Sequence, residues 1–322
     1  MEATVTEKKA QKRMTSKKIG LVLLIILLAS IFLYMIALAI IPPLIMHDQI
    51  HRHCDVEVES PEDYGVTASP LTLKTEDGLS LAAWEVAADT PKGVVIIISG
   101  IHNPTATAFF GYARMLRDNG YSSVLVELRS HGGSEGDKIF LGMMEYLDVK
   151  AGVQYIKAKQ AYKDLPVIVW GTSMGGATAI NAIGEIPELD GVISCSAYSD
   201  WVNVFYDNMS LSGAPAWMAA MDKPFVWCYL GFEYGFDKIK INPMEEITKL
   251  NGRPALLMHS TKDSQVPYAS FERLITKVPA SVETFIREGD EHFICYEKHF
   301  KNPEQDKEFS SAVLGFLKKH FG

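Results

Sequence analysis

The chain has 322 residues, 48% of them hydrophobic, and a formal net charge of −8. This length allows one large domain with a sizeable core and a short appendage. The first 18 residues carry six basic and two acidic side chains, a net +4 that leaves −12 for the rest of the chain. A domain this acidic is not expected to bind nucleic acid.

An uncharged apolar segment follows the basic tail. It runs over the 23 residues from Ile19 to Ile41, which at about 1.5 Å per residue can cross a hydrocarbon core of about 30 Å. The sequence predicts a transmembrane helix over residues 19–41 that ends at Pro42-Pro43. The basic residues of tail 1–18 predict a cytoplasmic N-terminus, with the remaining chain across the membrane.

A cleaved signal peptide, and hence a secreted protein, is the alternative. Ala37-Leu38-Ala39 resembles a cleavage site, although the apolar run is long for a signal peptide.

Residues 42–65 are predicted to form a juxtamembrane stalk. Three histidines precede Cys54 there, at positions 47, 51 and 53; a polar stalk is favoured over a metal site.

The four cysteines are Cys54, Cys195, Cys228 and Cys295. An exported location would permit disulfides, their spacing suggests no metal site, and Cys195 is expected to be a buried small hydrophobe.

From residue 66 to the C-terminus, apparent strands alternate with helix-length segments. This alternation predicts a parallel sheet covered on both faces. Residues 72–84 are typical of an opening hairpin around Asp77-Gly78. The later strands are predicted at residues 94–98, 123–126, 167–170, 191–195, 254–260 and 282–286.

The strand at 167–170 leads into Gly171-Thr172-Ser173-Met174-Gly175. A Gly-x-Ser-x-Gly pattern at a sharp strand-to-helix turn holds a serine hydroxyl clear of its neighbours, and the helix after it directs backbone N–H groups at developing negative charge. The bare pattern arises by chance in roughly one such chain in ten at ordinary glycine and serine frequencies. The pattern therefore indicates a catalytic serine only if an acid and a base accompany it at suitable positions.

The context is an acid and a base in the right order after later strands. Asp263 follows the strand at 254–260, and His292 follows the strand at 282–286. In this arrangement His292 accepts the proton of Ser173, while Asp263 fixes the tautomer of His292 and stabilises its imidazolium.

Other acids and histidines fit these roles less well. Asp200 is expected to cap a helix that begins at Trp201. Asp290 and Glu291 lie too close in sequence to His292 to orient its far nitrogen, and His299 is expected to be helical.

Two backbone amides are predicted to bind the oxyanion. One is that of Met174, directly after the nucleophile. The other is that of Ile101, which follows the strand at 94–98 and Gly100. Arg129 and His131, in the loop after the strand at 123–126, are expected to be structural.

These linked motifs resemble the α/β-hydrolase superfamily, in particular the serine esterase, lipase and aminopeptidase-like group. The resemblance covers residues 66–322, and membrane-anchored bacterial members with one N-terminal span look closest. The chain departs from the family pattern in two places: Ser99 replaces a usual His, and in a later loop Glu127 and Ser130 replace Asp and Gly. The resemblance implies a mostly parallel eight-stranded sheet with helices on both faces and a cap inserted over the serine.

The predicted cap covers about residues 198–241 and is dense in aromatic and methionine side chains. Many of these side chains would only pack the cap on the core, but such a surface also suits an acyl chain or an aromatic ester. The sequence therefore predicts a serine hydrolase of apolar, lipid-like carboxylic esters that needs neither metal nor organic cofactor. A peptidase or acyltransferase with the same triad, or a non-catalytic binding module, is the alternative.

Overall fold

The computed structural model describes residues 16–322, so most of the predicted basic tail lies outside the described residues. Its centre is an eight-stranded sheet. The strands are β1 (Ser69–Lys74), β2 (Ser80–Val86), β3 (Gly93–Ile98), β4 (Tyr121–Val126), β5 (Val167–Thr172), β6 (Gly191–Cys195), β7 (Ala255–Ser260) and β8 (Glu283–Arg287). Their order is β1-β2-β4-β3-β5-β6-β7-β8; β2 is antiparallel to β1 and β4, and all other pairs are parallel. The predicted hairpin and all six later strands are confirmed.

Helices cover both faces of the sheet. They are α1 (Ser16–Ile50), α2 (Phe110–Arg117), α3 (Tyr146–Ala158), α4 (Met174–Glu185), α5 (Trp201–Leu211), α6 (Ala216–Tyr234), α7 (Pro243–Glu246), α8 (Ala269–Ile275) and α9 (Lys307–Phe321). Alternate residues of the buried strand β3 point to opposite faces, so Ile96 packs in the core under α3 and α4 and Ile97 in the core under α2 and α9. The predicted α/β class is confirmed, and the cap segment 198–241 contains α5 and α6.

The N-terminal helix is longer than the sequence predicts. It does not end at Pro42-Pro43 but continues to Ile50. Residues 17–33 are exposed on every side, whereas beyond them one stripe with a four-residue spacing is covered, namely Tyr34, Leu38, Pro42, Met46 and Ile50. This stripe packs against α6. Tertiary packing therefore continues the helix past two residues that cannot donate its backbone hydrogen bonds.

The segment after α1 is tied to the domain. The amide of Cys54 donates to the Ser130 carbonyl at 2.7 Å, and the ring of His53 bonds the carbonyls of Gly132 and Gly136. All four cysteines are free, and Cys195 is buried in β6 as expected. Within residues 16–322 no group of three or more His, Cys, Asp or Glu could hold a metal ion.

Arg129 is the centre of a buried ionic group beneath the loops. Its side chain is 2% exposed and bonds the fully buried Asp148 at 2.7 Å and Asp77 at 2.7 Å. These contacts agree with the structural role that the sequence predicts for Arg129.

Replacing Arg129 by Met should therefore destabilise the fold. The change leaves Asp148 buried without its cation, which in such pairs costs about 3–5 kcal/mol. Urea unfolding of the full chain in detergent micelles, followed by near-ultraviolet circular dichroism, measures the effect. Lys163→Met, which breaks an exposed ion pair with Asp164, should leave the midpoint unchanged. Equal midpoints for R129M and K163M would contradict the assignment.

Candidate active site

Ser173 lies at the turn between β5 and α4. Its backbone has φ 59° and ψ −124°, a strained left-handed conformation for a residue with a β-carbon. The amide of Ser173 donates to the Cys195 carbonyl at 2.9 Å, and its carbonyl accepts from Ala177 at 3.0 Å. The turn is thus held from both sides, and Ser173 projects between strand and helix as a nucleophile elbow requires.

The glycines beside Ser173 allow its neighbours to approach. A β-carbon at Gly175 would lie 2.2 Å from the carbonyl oxygen of Ser99, and one at Gly171 would lie 1.9 Å from the carbonyl oxygen of Gly175. Neither position accommodates a side chain. The two glycines therefore set the close contact between the elbow and the loop after β3.

The two predicted oxyanion donors lie on either side of this contact. Ile101 and Met174 line the same cavity as Ser173. Within residues 16–322 neither backbone amide donates a hydrogen bond to a protein atom. Backbone amides that are not already engaged are what a developing oxyanion needs.

Asp263 and His292 are brought together as the sequence predicts. Nδ1 of His292 lies 2.8 Å from Oδ2 and 3.0 Å from Oδ1 of Asp263, and both side chains are buried. The amides of Gln265 and Val266 also donate to Oδ1 of Asp263, each at 2.9 Å. Burial alone would raise the pKa of Asp263, but the hydrogen bond and charge of His292, with these amides, hold that pKa below its ordinary value.

Ser173 and His292 are not hydrogen-bonded in this structure. Nε2 of His292 is buried and has no hydrogen-bond partner within the described residues. His292 lines a neighbouring cavity, and Gln265 lines both that cavity and the one at Ser173. Catalytic hydrogen bonds are often longer without substrate than in the reacting complex, so the Ser173–His292 contact stays a prediction.

The competing residues have other partners. Asp200 caps α5 by accepting from the Asn203 amide at 2.9 Å, as predicted. Asp290 accepts from the Ser264 amide at 2.7 Å and so supports the loop that carries Asp263. His299 is in a short 3-10 helix.

Sequence reasoning missed one wall of the cavity at Ser173. Ile45, Met46 and Gln49 from the C-terminal part of α1 line this cavity of about 510 Å³. The prediction that α1 ends at Pro42 placed these residues in a stalk. The apolar run continues past the prolines to Met46, and this was the available signal.

The end of α1 also supports the loop that carries Ile101. The ring of His102 bonds the Gln49 carbonyl through Nε2 at 2.9 Å, and the His102 amide donates to Nε2 of His131 at 3.0 Å. Burial lowers the pKa of His131 to about 4, so this ring is neutral near pH 7 and Nε2 can accept. His131 is therefore structural, as predicted, and it fixes the predicted oxyanion loop.

Known proteins resemble this chain over most of the described fold. A family model described as serine aminopeptidase, S33, matches residues 89–233, which include Ser173 but end before Asp263. A Bacillus subtilis relative, uncharacterized protein YqkD, is 26% identical over 75% of this chain and 77% of its own. The Saccharomyces cerevisiae uncharacterized membrane protein YNL320W is 28% identical over 42% of this chain and 48% of its own.

The solved structure of the Pyrococcus furiosus esterase Pf2001 superposes with a TM-score of 0.65 at 23% identity. The match covers 85% of this chain and 99% of that one; at this identity it shows a shared fold alone. The fold is that of the α/β-hydrolases. The chain is therefore similar in part to a serine aminopeptidase family model and in fold to an esterase.

Proposed function

From the α/β-hydrolase fold as premise, we propose that this chain is a serine hydrolase that cleaves carboxylic esters through an acyl-enzyme. The observation that carries the proposal is the position of Ser173. It stands in a strained elbow beside a cavity that is also lined by Ile101 and Met174, whose backbone amides have no hydrogen-bond acceptor within residues 16–322. A buried Asp263–His292 pair with an unpartnered Nε2 lies in the adjoining loops.

In the proposed mechanism, Oγ of Ser173 attacks the ester carbonyl carbon and Nε2 of His292 accepts the hydroxyl proton. The amides of Met174 and Ile101 bind the oxyanion of the tetrahedral intermediate. The C–O bond to the alcohol then breaks, and His292 gives the alcohol its proton. Water, deprotonated by the same histidine, releases the acid and restores Ser173.

The cavity supports an apolar acyl group. Its lining includes Val204, Phe205 and Met209 of α5 together with Ile45 and Met46 of α1. These side chains can contact a hydrocarbon chain but offer no charge to a polar group. We therefore assign lipid-like esters as the substrate class.

A peptidase or an acyltransferase is the second candidate, because the S33 family model is named for an aminopeptidase. The triad would be the same, and only the leaving group or the acceptor of the acyl group would differ. A non-catalytic binding module is less well supported, since a scaffold has no need of a strained serine beside free amides.

The long N-terminal helix supports membrane anchorage. Its mean hydropathy reaches 3.1. Residues 17–33 are exposed on every side of the helix and are not covered by the rest of the described chain. A relative named as a membrane protein agrees with this. We propose a single-pass protein with a cytoplasmic N-terminus; secretion after signal cleavage is the alternative, and extraction of membranes at alkaline pH followed by intact-mass measurement separates the two.

Labelling with a fluorophosphonate tests the enzyme proposal directly. We expect one adduct on Ser173 in the folded full chain and its loss in His292→Ala, because an unactivated serine reacts slowly. Ser281→Ala, at an exposed loop serine, should label as the unaltered chain does. The absence of an adduct on Ser173, or an adduct insensitive to H292A, would refute the proposal.

A substrate panel distinguishes an esterase from a peptidase. p-Nitrophenyl esters of increasing chain length should be hydrolysed faster than aminoacyl p-nitroanilides, with a preference for chains long enough to fill the apolar cavity. Faster release of nitroaniline would favour the peptidase instead.

A further inference from the structure

The tip of the cap exposes apolar side chains to solvent. We call residues 208–221 the cap tip; it includes the end of α5, the connecting loop and the first turns of α6. The cap tip contains no charged residue. Leu211 is 59% exposed, Trp217 60% and Met221 42%. Exposed apolar side chains grouped on one uncharged segment often mark a contact with a partner or a membrane.

The cap tip lies beside the predicted membrane span. The rings of Trp217 and Tyr34 are 6.3 Å apart, and at the other end of the same two helices His51 lies 2.9 Å from Glu233. Tyr34 and His51, the residue directly after α1, are 17 residues apart, and Trp217 and Glu233 of α6 are 16 apart. Helices α1 and α6 therefore run parallel and in register. The position of a residue along α6 can thus be converted into a position along α1.

This register gives the depth of the cap tip. Tyr34 lies seven residues before Ile41, or about 10 Å inside the predicted end of the span at 1.5 Å per residue. Trp217 lies at the same level. Asp222, the first charged residue of α6, is buried. The first charged residue of α6 that reaches the surface is Lys223, six residues after Trp217 and therefore level with residue 40. The uncharged surface of the cap thus ends at the depth where the predicted span ends.

The other end of the helix pair carries charged side chains, which the cap tip lacks, although the exposed Phe232 lies there as well. Glu233 bonds both His51 and Lys138 there. The charged cluster suits the aqueous side of a membrane surface, and the uncharged cap tip suits the hydrocarbon side.

The cavity at Ser173 reaches both the cap tip and the C-terminal part of α1. Ser212 and Ala214 of the cap tip line it together with Ile45 and Met46 of α1. One cavity therefore extends from the nucleophile to the part of the protein beside the span.

We propose that the cap tip is inserted in the leaflet next to the catalytic domain, and that a bilayer lipid ester enters the cavity between the cap tip and α1 without leaving the membrane. This inference rests on the proposed ester hydrolysis and membrane anchor. The hydrophobic effect favours the insertion because the exposed apolar side chains leave water.

The position of the cap tip can be measured without activity. In the Ser173→Ala, Cys228→Ala background, Leu211→Cys carries an environment-sensitive NBD label, and the full chain is placed in phosphatidylcholine vesicles. We expect a blue-shifted emission that doxyl-labelled lipid quenches. The matched control, Phe232→Cys, puts the label on the same helix pair beyond the span, at a side chain 82% exposed, and should not be quenched. Equal quenching at both positions, or none at 211, would overturn the insertion.

The entry route is tested by rates. Trp217→Asp and Leu211→Asp should each lower hydrolysis of 4-methylumbelliferyl palmitate embedded in the vesicles at least tenfold, while soluble 4-methylumbelliferyl butyrate changes less than twofold. Phe232→Asp should leave both rates unchanged. Two variants are used because W217D also removes a contact with α1.

The outcomes distinguish the two proposals. If the unaltered chain hydrolyses neither ester, the proposed function fails, while the quenching result still decides the insertion. If it hydrolyses both esters but L211D and W217D act like F232D, the lateral route is refuted and the proposed function stands.

Discussion

Ser173→Ala should lower kcat/KM for a p-nitrophenyl ester by about 10⁴-fold or more. The elbow and the cavity persist without the hydroxyl, but no acyl-enzyme can form, and only the oxyanion amides and substrate binding remain to accelerate the reaction. The fold should be retained, since Oγ of Ser173 makes no hydrogen bond within residues 16–322 to lose. Steady-state kinetics with active-site titration of the unaltered chain give the ratio.

Single and combined variants show whether the residues act together. Ser173→Ala, His292→Ala and the double variant should have nearly equal residual rates, because members of one catalytic unit are strongly non-additive. Multiplicative losses in the double variant would mean that His292 does not act through Ser173. The triad would then be refuted even if each single variant is impaired.

Asp263→Asn should lower kcat on the order of 10⁴-fold while the fold is retained. The carboxylate accepts from Nδ1 of His292 at 2.8 Å. An amide in its place can donate to Nδ1, which moves the ring proton to Nε2, the nitrogen that must accept from Ser173. Since the pKa of Asp263 lies below its ordinary value, the unaltered residue is ionised throughout the neutral range.

Asp290→Asn is the matched control for this variant. Asp290 lies in the same group of loops and bonds the Ser264 amide at 2.7 Å, but it makes no hydrogen bond to His292. It should change kcat less than threefold. A loss in D290N as large as that in D263N would show that support of the loop, rather than the tautomer of His292, explains the effect.

The sheet and the order of the site residues could be predicted because both leave local signals. The buried strands β3 and β5 are continuous apolar runs, and the glycines around Ser173 mark a turn that side chains would block. Asp263 and His292 were found because loops after parallel strands meet at one edge of a sheet. These relations depend on residues that are close in sequence or on strand order.

The course of α1 past Pro42 left no periodic signal, and the apolar run to Met46 was its one local indication. Its residues are apolar on all sides as far as Met46, so no periodicity shows which face packs on α6. Two adjacent prolines ordinarily predict a helix end. Only the tertiary contacts of Leu38, Met46 and Ile50 reverse that expectation, and so the cavity wall from α1 and the bond between His102 and Gln49 were missed.

The exposed part of α1 would determine where the proposed enzyme is located, whereas the packed part forms a wall of the cavity at Ser173. A signal peptidase that cut after Ala39 would remove the residues exposed on every side, together with Tyr34 and Leu38 of the packed stripe, and leave Ile45, Met46 and Gln49 in place. Anchored and released forms would then share one substrate cavity and differ in their access to lipid. Removal of the chain up to residue 65, in contrast, would open the cavity and remove the Gln49 carbonyl that His102 bonds beside the predicted oxyanion donor Ile101. In the proposed enzyme, α1 would thus be both a membrane anchor that cleavage can remove and a wall of the cavity at Ser173 that must remain.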